Sequence, residues 1–463
     1  MDKEIPPKVQ SPKQKGVGLL YSIVLWVFFS FIFLIIPQNI ALSSDVEVTI
    51  TIPSLKEAVS LAIKNNLNIQ MQEKEVGAAR ADIMKAQSIF YPQANFNASY
   101  THNDKVLNQN IFTGYKNDNI LGVSLAQSIY SGGLNIATLR QAQLSLRTQE
   151  ETLRSKKLDV EFEAKRLYFG LLLAYETERI TQNLFDQAKA HYEDVKHKNE
   201  QGTSSRFDLL QSKVQVSKIV PELVKARNAI DLTIVDLKKL LRINMKEKLT
   251  VTDRLHYSYI DINEGEFLKI AYLEQPKMNL KTLGIDINKW AIQVARSSNL
   301  PQVNVNMDYT YRSSNLGNMI DPQHRNWSSG FTVSVPIFDG FSSRAKVEAA
   351  KLRYQEAHLD KEDLIDQIAV DIKQACLDLR QAQSIIDYTK DNISEAKEAL
   401  KISEVSYDNG EGTNLDILDA QVSLSQVEQN LASGIYDYLM AEAFLDKTMG
   451  KLSLEEAKNE KKV

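Results

Sequence analysis

The sequence holds one cysteine, Cys376, in 463 residues, which excludes an intramolecular disulfide framework and a cysteine-rich zinc site. Its six histidines are scattered and never fall in an HExxH spacing. Neither GxGxxG nor GxxxxGK(S/T) occurs, so the familiar phosphate-cradling loops are missing as well. Charge of one sign is also lacking: 55 Lys and Arg against 59 Asp and Glu leave a net charge of −4. Without a basic footprint, nucleic acid is not an expected partner. A mean hydropathy of −0.29 excludes a helical protein with many membrane spans. Nothing here indicates an enzyme, and neither cofactor nor metal is expected.

Proline is scarce in a telling way. None of the 11 prolines falls in residues 93–220 or 337–463. Proline breaks helix interiors, so both windows permit very long helices. One hydrophobic run stands out at the start of the chain. Lys8, Lys13 and Lys15 precede the uncharged stretch 16–36, which Pro37 ends and small residues Ala41, Ser43 and Ser44 follow. That is the order of a secretory signal, here assigned to 1–43. The run is also long enough to serve as a retained anchor. Both readings carry the rest of the chain beyond the cytoplasm. With no cysteine near the exit, no N-terminal lipid is expected.

The remainder contains itself twice. Tyr91-Pro92-Gln93 returns as Leu300-Pro301-Gln302, and Ser131-Gly132-Gly133 as Phe338-Asp339-Gly340. Gly202 with Asp208 and Leu210 returns as Gly410 with Asp416 and Leu418. The common offset of about 208 residues defines a first repeat over 53–245, a junction over 246–265 and a second repeat over 266–452. A charged tail, 453–463, follows.

Each repeat carries a seven-residue ladder of apolar and small side chains. In the second it runs Ile372, Ala375, Leu379, Ala382, Ile386 and on to Tyr407; in the first, Ala164, Leu167, Leu171 and Ala174 open the same phase. Long helices are predicted over 133–199 and 340–408, each on the order of 100 Å. Ser205 to Asp208 and Thr413 to Asp416 read as capping boxes that start return helices over 205–242 and 414–449. Pro221 is expected to kink or divide the first of these. Ahead of each long helix lie alternating stretches: 94–102, 119–129, 302–312 and 327–337. Pro336 belongs at a strand end or bulge. Alternation alone fits a soluble amphipathic sheet as well as a membrane barrel. Four strands cannot close a barrel, and lipid forbids open edges. A membrane version therefore needs several copies, and a conduit needs at least three, because eight strands leave only room for side chains.

Taken together, the paired Tyr-Pro-Gln and Leu-Pro-Gln, the Ser-Gly-Gly and Phe-Asp-Gly junctions, and the Gly202 to Asp208 and Gly410 to Gln421 tips resemble the TolC-like outer membrane efflux protein family. The likeness extends from about residue 55 to 452. It implies a mainly α fold with a small β part. Long antiparallel coiled-coil helices would form a trimeric α-barrel, and four strands per chain would share a 12-stranded transmembrane β-barrel. It implies an outer membrane duct reaching into the periplasm, carrying drugs, toxic small molecules or secreted proteins, and performing no chemistry. The implied partners are two further copies, outer membrane lipid, a periplasmic adaptor and an inner membrane RND or ABC transporter.

The resemblance also assigns roles at the tips. Asp416 and Asp419 match a pore constriction, where threefold symmetry would make rings of carboxylates; Asp416 is equally a capping acid. Tyr407, Asp208 and Arg206 match a tip latch, although Tyr407 is also a rung of the ladder. Gly202, Thr203, Ser204, Gly410, Glu411 and Gly412 match the adaptor-docking zone, and the glycines also terminate helices. The alternatives are a periplasmic adaptor, which would need only one hairpin, and a coiled-coil scaffold without a pore, against which the alternating strands speak. An enzyme built on Asp416 and Asp419 would have no nucleophile or metal beside them.

Overall fold

The computed structural model describes residues 49–52, 54–104 and 116–452. The expected signal, residues 1–43, and the charged tail lie outside the described residues.

The long windows without proline fold as two helices of 67 residues each. Helix α3 (Leu134–Glu200) and helix α7 (Ser342–Asp408) start 208 residues apart, as 342 − 134 gives. At 1.5 Å per residue each is about 100 Å long. The ladder is the buried stripe: Ala164, Leu171, Ile372, Ala375, Leu379 and Ile386 are fully buried. Each long helix is followed by a return helix of 36 residues, α4 (Arg206–Leu241) and α8 (Asn414–Met449). Helix α4 passes through Pro221 undivided. The proline is exposed, so water can meet the carbonyl that it leaves without an amide partner. Helices α4, α3, α8 and α7 pack side by side in that order.

Two shorter helix pairs repeat the duplication. Helices α1 (Leu55–Asn65) and α2 (Leu67–Ser88) have the lengths of α5 (Glu264–Glu274) and α6 (Pro276–Ser297). Helix α6 lies against both α3 and α7. Its counterpart α2 lies against α3.

Four strands form one antiparallel sheet in the order β2, β3, β5, β6: Gln93–His102, Asn117–Ser131, Gln302–Ser313 and Arg325–Ser334. The register sorts the side chains. Phe96, Val123, Tyr309 and Trp327 stand in one cross-strand row, with Ala94, Leu125, Met307 and Ser329 beside it on the same face. The opposite face carries Asn97, Gly122, Thr310 and Asn326, then Asn95, Ser124, Asp308 and Ser328. On that polar face Arg312 holds Asp118 through two hydrogen bonds of 2.8 and 2.7 Å. Strand β6 stops at Ser334, short of the alternation, because Pro336 has no N–H to donate.

The junction between repeats is a strap that the sequence pattern did not announce. Strand β4 (Lys248–Val251) pairs in parallel with β1 (Thr49–Ile52). Beyond it the Tyr168 hydroxyl meets Asp253 at 3.2 Å, Tyr259 donates to Asp387 at 2.6 Å, and Tyr438 donates to the Ser258 carbonyl at 3.1 Å. Near this level Lys165 of α3 is buried between Glu161 at 3.0 Å and Asp446 of α8 at 3.1 Å. Burial opposes its charge, but the two carboxylates outweigh it and hold Lys165 above the ordinary lysine range.

Candidate functional site at the helical tips

The two hairpin tips are built alike. Gly202 and Gly410 both adopt φ of +77°, the left-handed conformation that ends a helix without a Cβ clash. Thr203 and Ser204 return their amides to the Lys198 carbonyl at 2.8 and 3.2 Å, and Glu411 and Gly412 do the same to Ser406 at 2.8 and 3.0 Å. At Gly412 a Cβ would come within 3.0 Å of the Tyr407 nitrogen, so the loop needs glycine to fold back this closely. The residues of the expected docking zone are thus bound up in turning the chain. Gly202, Thr203, Gly410 and Glu411 also lie open to solvent.

Both return helices begin with a complete capping box. Asp208 accepts from the Ser205 hydroxyl at 2.7 Å, and Asp416 accepts from the Thr413 amide and hydroxyl, both at 2.7 Å. These bonds, led by the backbone amide, hold Asp416 below the ordinary carboxylate range. One oxygen of Asp416 serves the cap; the side chain remains on the exposed face. Asp419 lies one turn on and is exposed, beside Leu415 and Val422, while Ile417, Leu418 and Gln421 point inward. The structure therefore puts Asp416 and Asp419 together on the free face of α8.

The expected latch residues separate within one chain. Tyr407 packs its ring edge-on to His191, with centroids 5.5 Å apart, and Lys198 Nζ sits 4.5 Å above it. Asp208 is occupied by Ser205, and Arg206 is exposed at the first position of α4. The residues that tie the hairpins together are ones the sequence did not single out. Lys198 donates to Asp408 at 2.7 Å and pairs with Asp194 at 2.9 Å. Burial works against its charge, but these hydrogen bonds raise Lys198 above the ordinary lysine range. His191 Nε2 donates to the Asn414 side-chain carbonyl at 2.7 Å, and the Asn414 amide donates to Gln211 at 3.0 Å.

The seam between α3 and α8 stays polar higher up. Gln429 donates to Thr177 at 2.8 Å. Elsewhere on the buried side of α8, the Gln421 side-chain carbonyl has no hydrogen-bond partner among the described residues. The seam between α7 and α8 is apolar instead, with Leu400, Ile417 and Leu424 buried together. A signal for the missed residues was present in the repeat. Lys198 stands where the other half has Ser406, and Asn414 where the first half has Arg206. These two positions differ between the repeats, and Lys198 and Asn414 both touch the other hairpin.

Two hairpins and a four-stranded sheet with one apolar face thus follow a duplicated order of elements. The outer membrane efflux protein family model matches residues 58–241 and 273–451. The chain belongs to the outer membrane efflux protein family. Membership makes the outer membrane its location and efflux across that membrane its work. The outer membrane protein TolC of Vibrio cholerae is 21% identical over 406 residues, covering 86% of this chain and 91% of the relative. The alkaline protease secretion protein AprF of Pseudomonas aeruginosa is 20% identical, covering 91% of this chain and 87% of its own length. Among solved structures, the CmeC outer membrane channel of Campylobacter jejuni superposes with a TM-score of 0.78 at 21% identity, covering 88% of each chain. As in other members of the efflux family by fold, the described residues are mainly helical, and every helical hairpin has its twin in the other half.

Proposed function

We propose that three copies of this chain assemble into one outer membrane exit duct. A 12-stranded barrel would continue into a helical tunnel whose tips meet a periplasmic adaptor and an inner membrane RND or ABC transporter. The observation that carries this reading is the sheet. Among the described residues, strands β2 and β6 are its outer strands, each with one unpaired side, while one face is apolar and the other polar. Lipid does not tolerate unpaired backbone, so β6 of one copy must meet β2 of the next. The apolar rows then face lipid and the polar rows face a water-filled lumen.

The helices support the same closure through the internal duplication. Within one chain α3 packs on α8; the equivalent contact for α7 is α4 of another copy. Both carry exposed apolar residues for it: Phe207, Leu210 and Val214 on α4, and Leu377, Ile402 and Val405 on α7. Likewise α6 lies between α3 and α7, and its twin α2 exposes Leu67, Met71 and Met84 toward the place where a neighbour's α7 would lie. Head-to-tail contacts of this kind generate closed rings.

In this reading Asp416 and Asp419 form carboxylate rings at the tunnel entrance that favour cations. Tyr407 latches the closed tip together with Lys198 and Asp408, with Asp208 and Arg206 facing the neighbouring copy. Gly202, Thr203, Ser204, Gly410, Glu411 and Gly412 take the adaptor. AprF is a protease secretion protein and the relative CusC of Escherichia coli a cation efflux system protein; secreted proteins and toxic small species are the cargo classes of this reading. The test is to purify the full chain in detergent from fractionated membranes and measure its mass by light scattering. Three copies, recovered with the outer membrane and dissociated by heat, are expected. A monomer in the aqueous fraction would end the proposal.

A further inference from the structure

Two glycines of the first repeat are crowded where their partners in the second stand open. On β3, Gly122 lies opposite Thr310 of β5, and a Cβ there would come within 2.6 Å of the Thr310 methyl and 2.9 Å of the Tyr309 carbonyl. Just past β3, a Cβ on Gly132 would come within 2.6 Å of the Leu300 Cβ, in the segment ahead of β5. The repeat partners are Gly330 on β6 and Gly340 beyond it, and a Cβ on either would meet nothing within 4 Å among the described residues. Gly340 has a left-handed backbone that calls for glycine by itself; Gly330 has not. A glycine inside a strand weakens it, and marks a place where another backbone comes close.

The duplication identifies that backbone. Residues 91–101 return as 300–310, with Pro92, Gln93, Asn95, Asn97, Tyr100 and Thr101 all repeated, at an offset of 209 as 302 − 93 gives. Residues 122–132 return as 330–340, at an offset of 208 as 330 − 122 gives. Strand pairing keeps these offsets. Gln93 opposite Ala126 returns as Gln302 opposite Ser334, and Phe96 opposite Val123 returns as Val305 opposite Phe331. The hairpins β2–β3 and β5–β6 are thus copies down to their register. The pairing of β3 with β5 has no copy among the described residues of one chain. The same offsets turn Gly122 opposite Thr310 into Gly330 opposite Thr101, Val123 opposite Tyr309 into Phe331 opposite Tyr100, and Ser124 opposite Asp308 into Thr332 opposite Ser99. Thr101 of the same chain lies on the far outer strand, so the Thr101 that meets Gly330 belongs to another copy. Likewise Leu300 over Gly132 becomes Tyr91 of that copy over Gly340; Tyr91 is 68% exposed in the single chain.

We infer that β6 of one copy joins β2 of the next in this one register, with Thr101 seated on Gly330 and Tyr91 on Gly340. The faces agree with it: Phe331 and Tyr100 both lie on the apolar face, and Thr332 and Ser99 on the polar one. A slip of one residue would set an apolar row against a polar row. A slip of two would keep the faces but move the threonine off the glycine that makes room for it.

The inference rests on the proposed three-copy duct, and the experiment separates the two. Full chains carrying Cys376→Ala receive Thr332→Cys together with Ser99→Cys. Two offset variants combine Thr332→Cys with Asn97→Cys or with Thr101→Cys, partners displaced by two residues. Such diagonal neighbours are about 7–8 Å apart, beyond what a disulfide spans. Membranes are oxidised with copper phenanthroline, and the proteins are heated in detergent without reductant and separated by size. The Thr332 and Ser99 pair should convert most of the chain into covalent oligomer that survives heat, and the offset pairs almost none. Gly330→Ala, in the otherwise unaltered chain, should lower the recovery of oligomer several-fold, although nothing crowds Gly330 within one chain. Linking through an offset pair, normal assembly of Gly330→Ala, or no link in any variant that light scattering still shows as three copies overturns the register and leaves the duct standing. Chains that remain monomeric in detergent overturn the duct, and the register with it.

Discussion

Lys198 reaches from the end of one long helix to Asp408 at the end of the other, 2.7 Å away and 210 residues apart in the chain. With the Tyr407 ring beneath the ammonium, this is a bridge between the two hairpins at the tip. Surface ion pairs contribute only about 0.2–1 kcal/mol each, which is enough to bias a gate without locking it.

Lys198→Met should therefore raise the conducting fraction of channels in a planar bilayer by up to about fivefold, the factor that about 1 kcal/mol gives. High salt should produce the same change in the unaltered protein and little further change in the variant. A variant with unchanged conductance would move the latch to other residues.

Asp416 and Asp419 should respond differently to neutralisation. Asp419→Asn should lower cation selectivity in reversal-potential measurements and leave the unfolding temperature unchanged. Asp416→Asn should lower both cation selectivity and the unfolding temperature, because it also removes the acid of the capping box. Folding lowers the Asp416 pKa from its usual 3.8, so the cap's contribution is present above that value and fades as pH falls through the lower, folded value. Acid titration of the tip, followed by thermal melts between neutral pH and pH of about 3, checks the sign.

Gln421→Leu should stabilise the buried side of α8. It removes a buried carbonyl that has no partner, a group whose desolvation costs about 1–3 kcal/mol. A higher unfolding temperature and a lower open probability are expected. A fall in both stability and closure would mean that ordered water satisfies this carbonyl in the assembled duct.

Lys165→Ala should be severely destabilising, by about 3–5 kcal/mol, because it leaves Glu161 and Asp446 without the cation between them. Lys165→Met, which fills the space but not the charge, should suffer similarly. Since folding raises the Lys165 pKa, its contribution is complete below its usual value of 10.5 and disappears as pH climbs through the folded value. Chemical denaturation at neutral and strongly alkaline pH measures both effects.

Gly122→Ala should impair assembly. Its Cβ would lie 2.6 Å from the Thr310 methyl and 2.9 Å from the Tyr309 carbonyl, so the pairing of β3 with β5 must shift. Overpacking of this kind costs about 1–3 kcal/mol. The expected reading is a lower yield of heat-dissociable oligomer from membranes.

Much of this molecule is legible in its amino-acid order. The 208-residue duplication, the seven-residue ladder, the capping boxes at Ser205 and Thr413 and the alternation ahead of each long helix all show there. Apart from the duplication, these are short-range patterns. They depend on spacings of two, three or four residues, which the chain carries wherever it goes. What tertiary structure alone decided lies at longer range. Pro221 stays inside a helix because that face is open to water. Lys248–Val251 of the junction become a strand because β1 offers them an edge. Tyr407 turns to His191 and Lys198, and Asn414 to a histidine 223 residues away. Such contacts arise only when two hairpins are laid side by side, and no local periodicity encodes which side chains then meet.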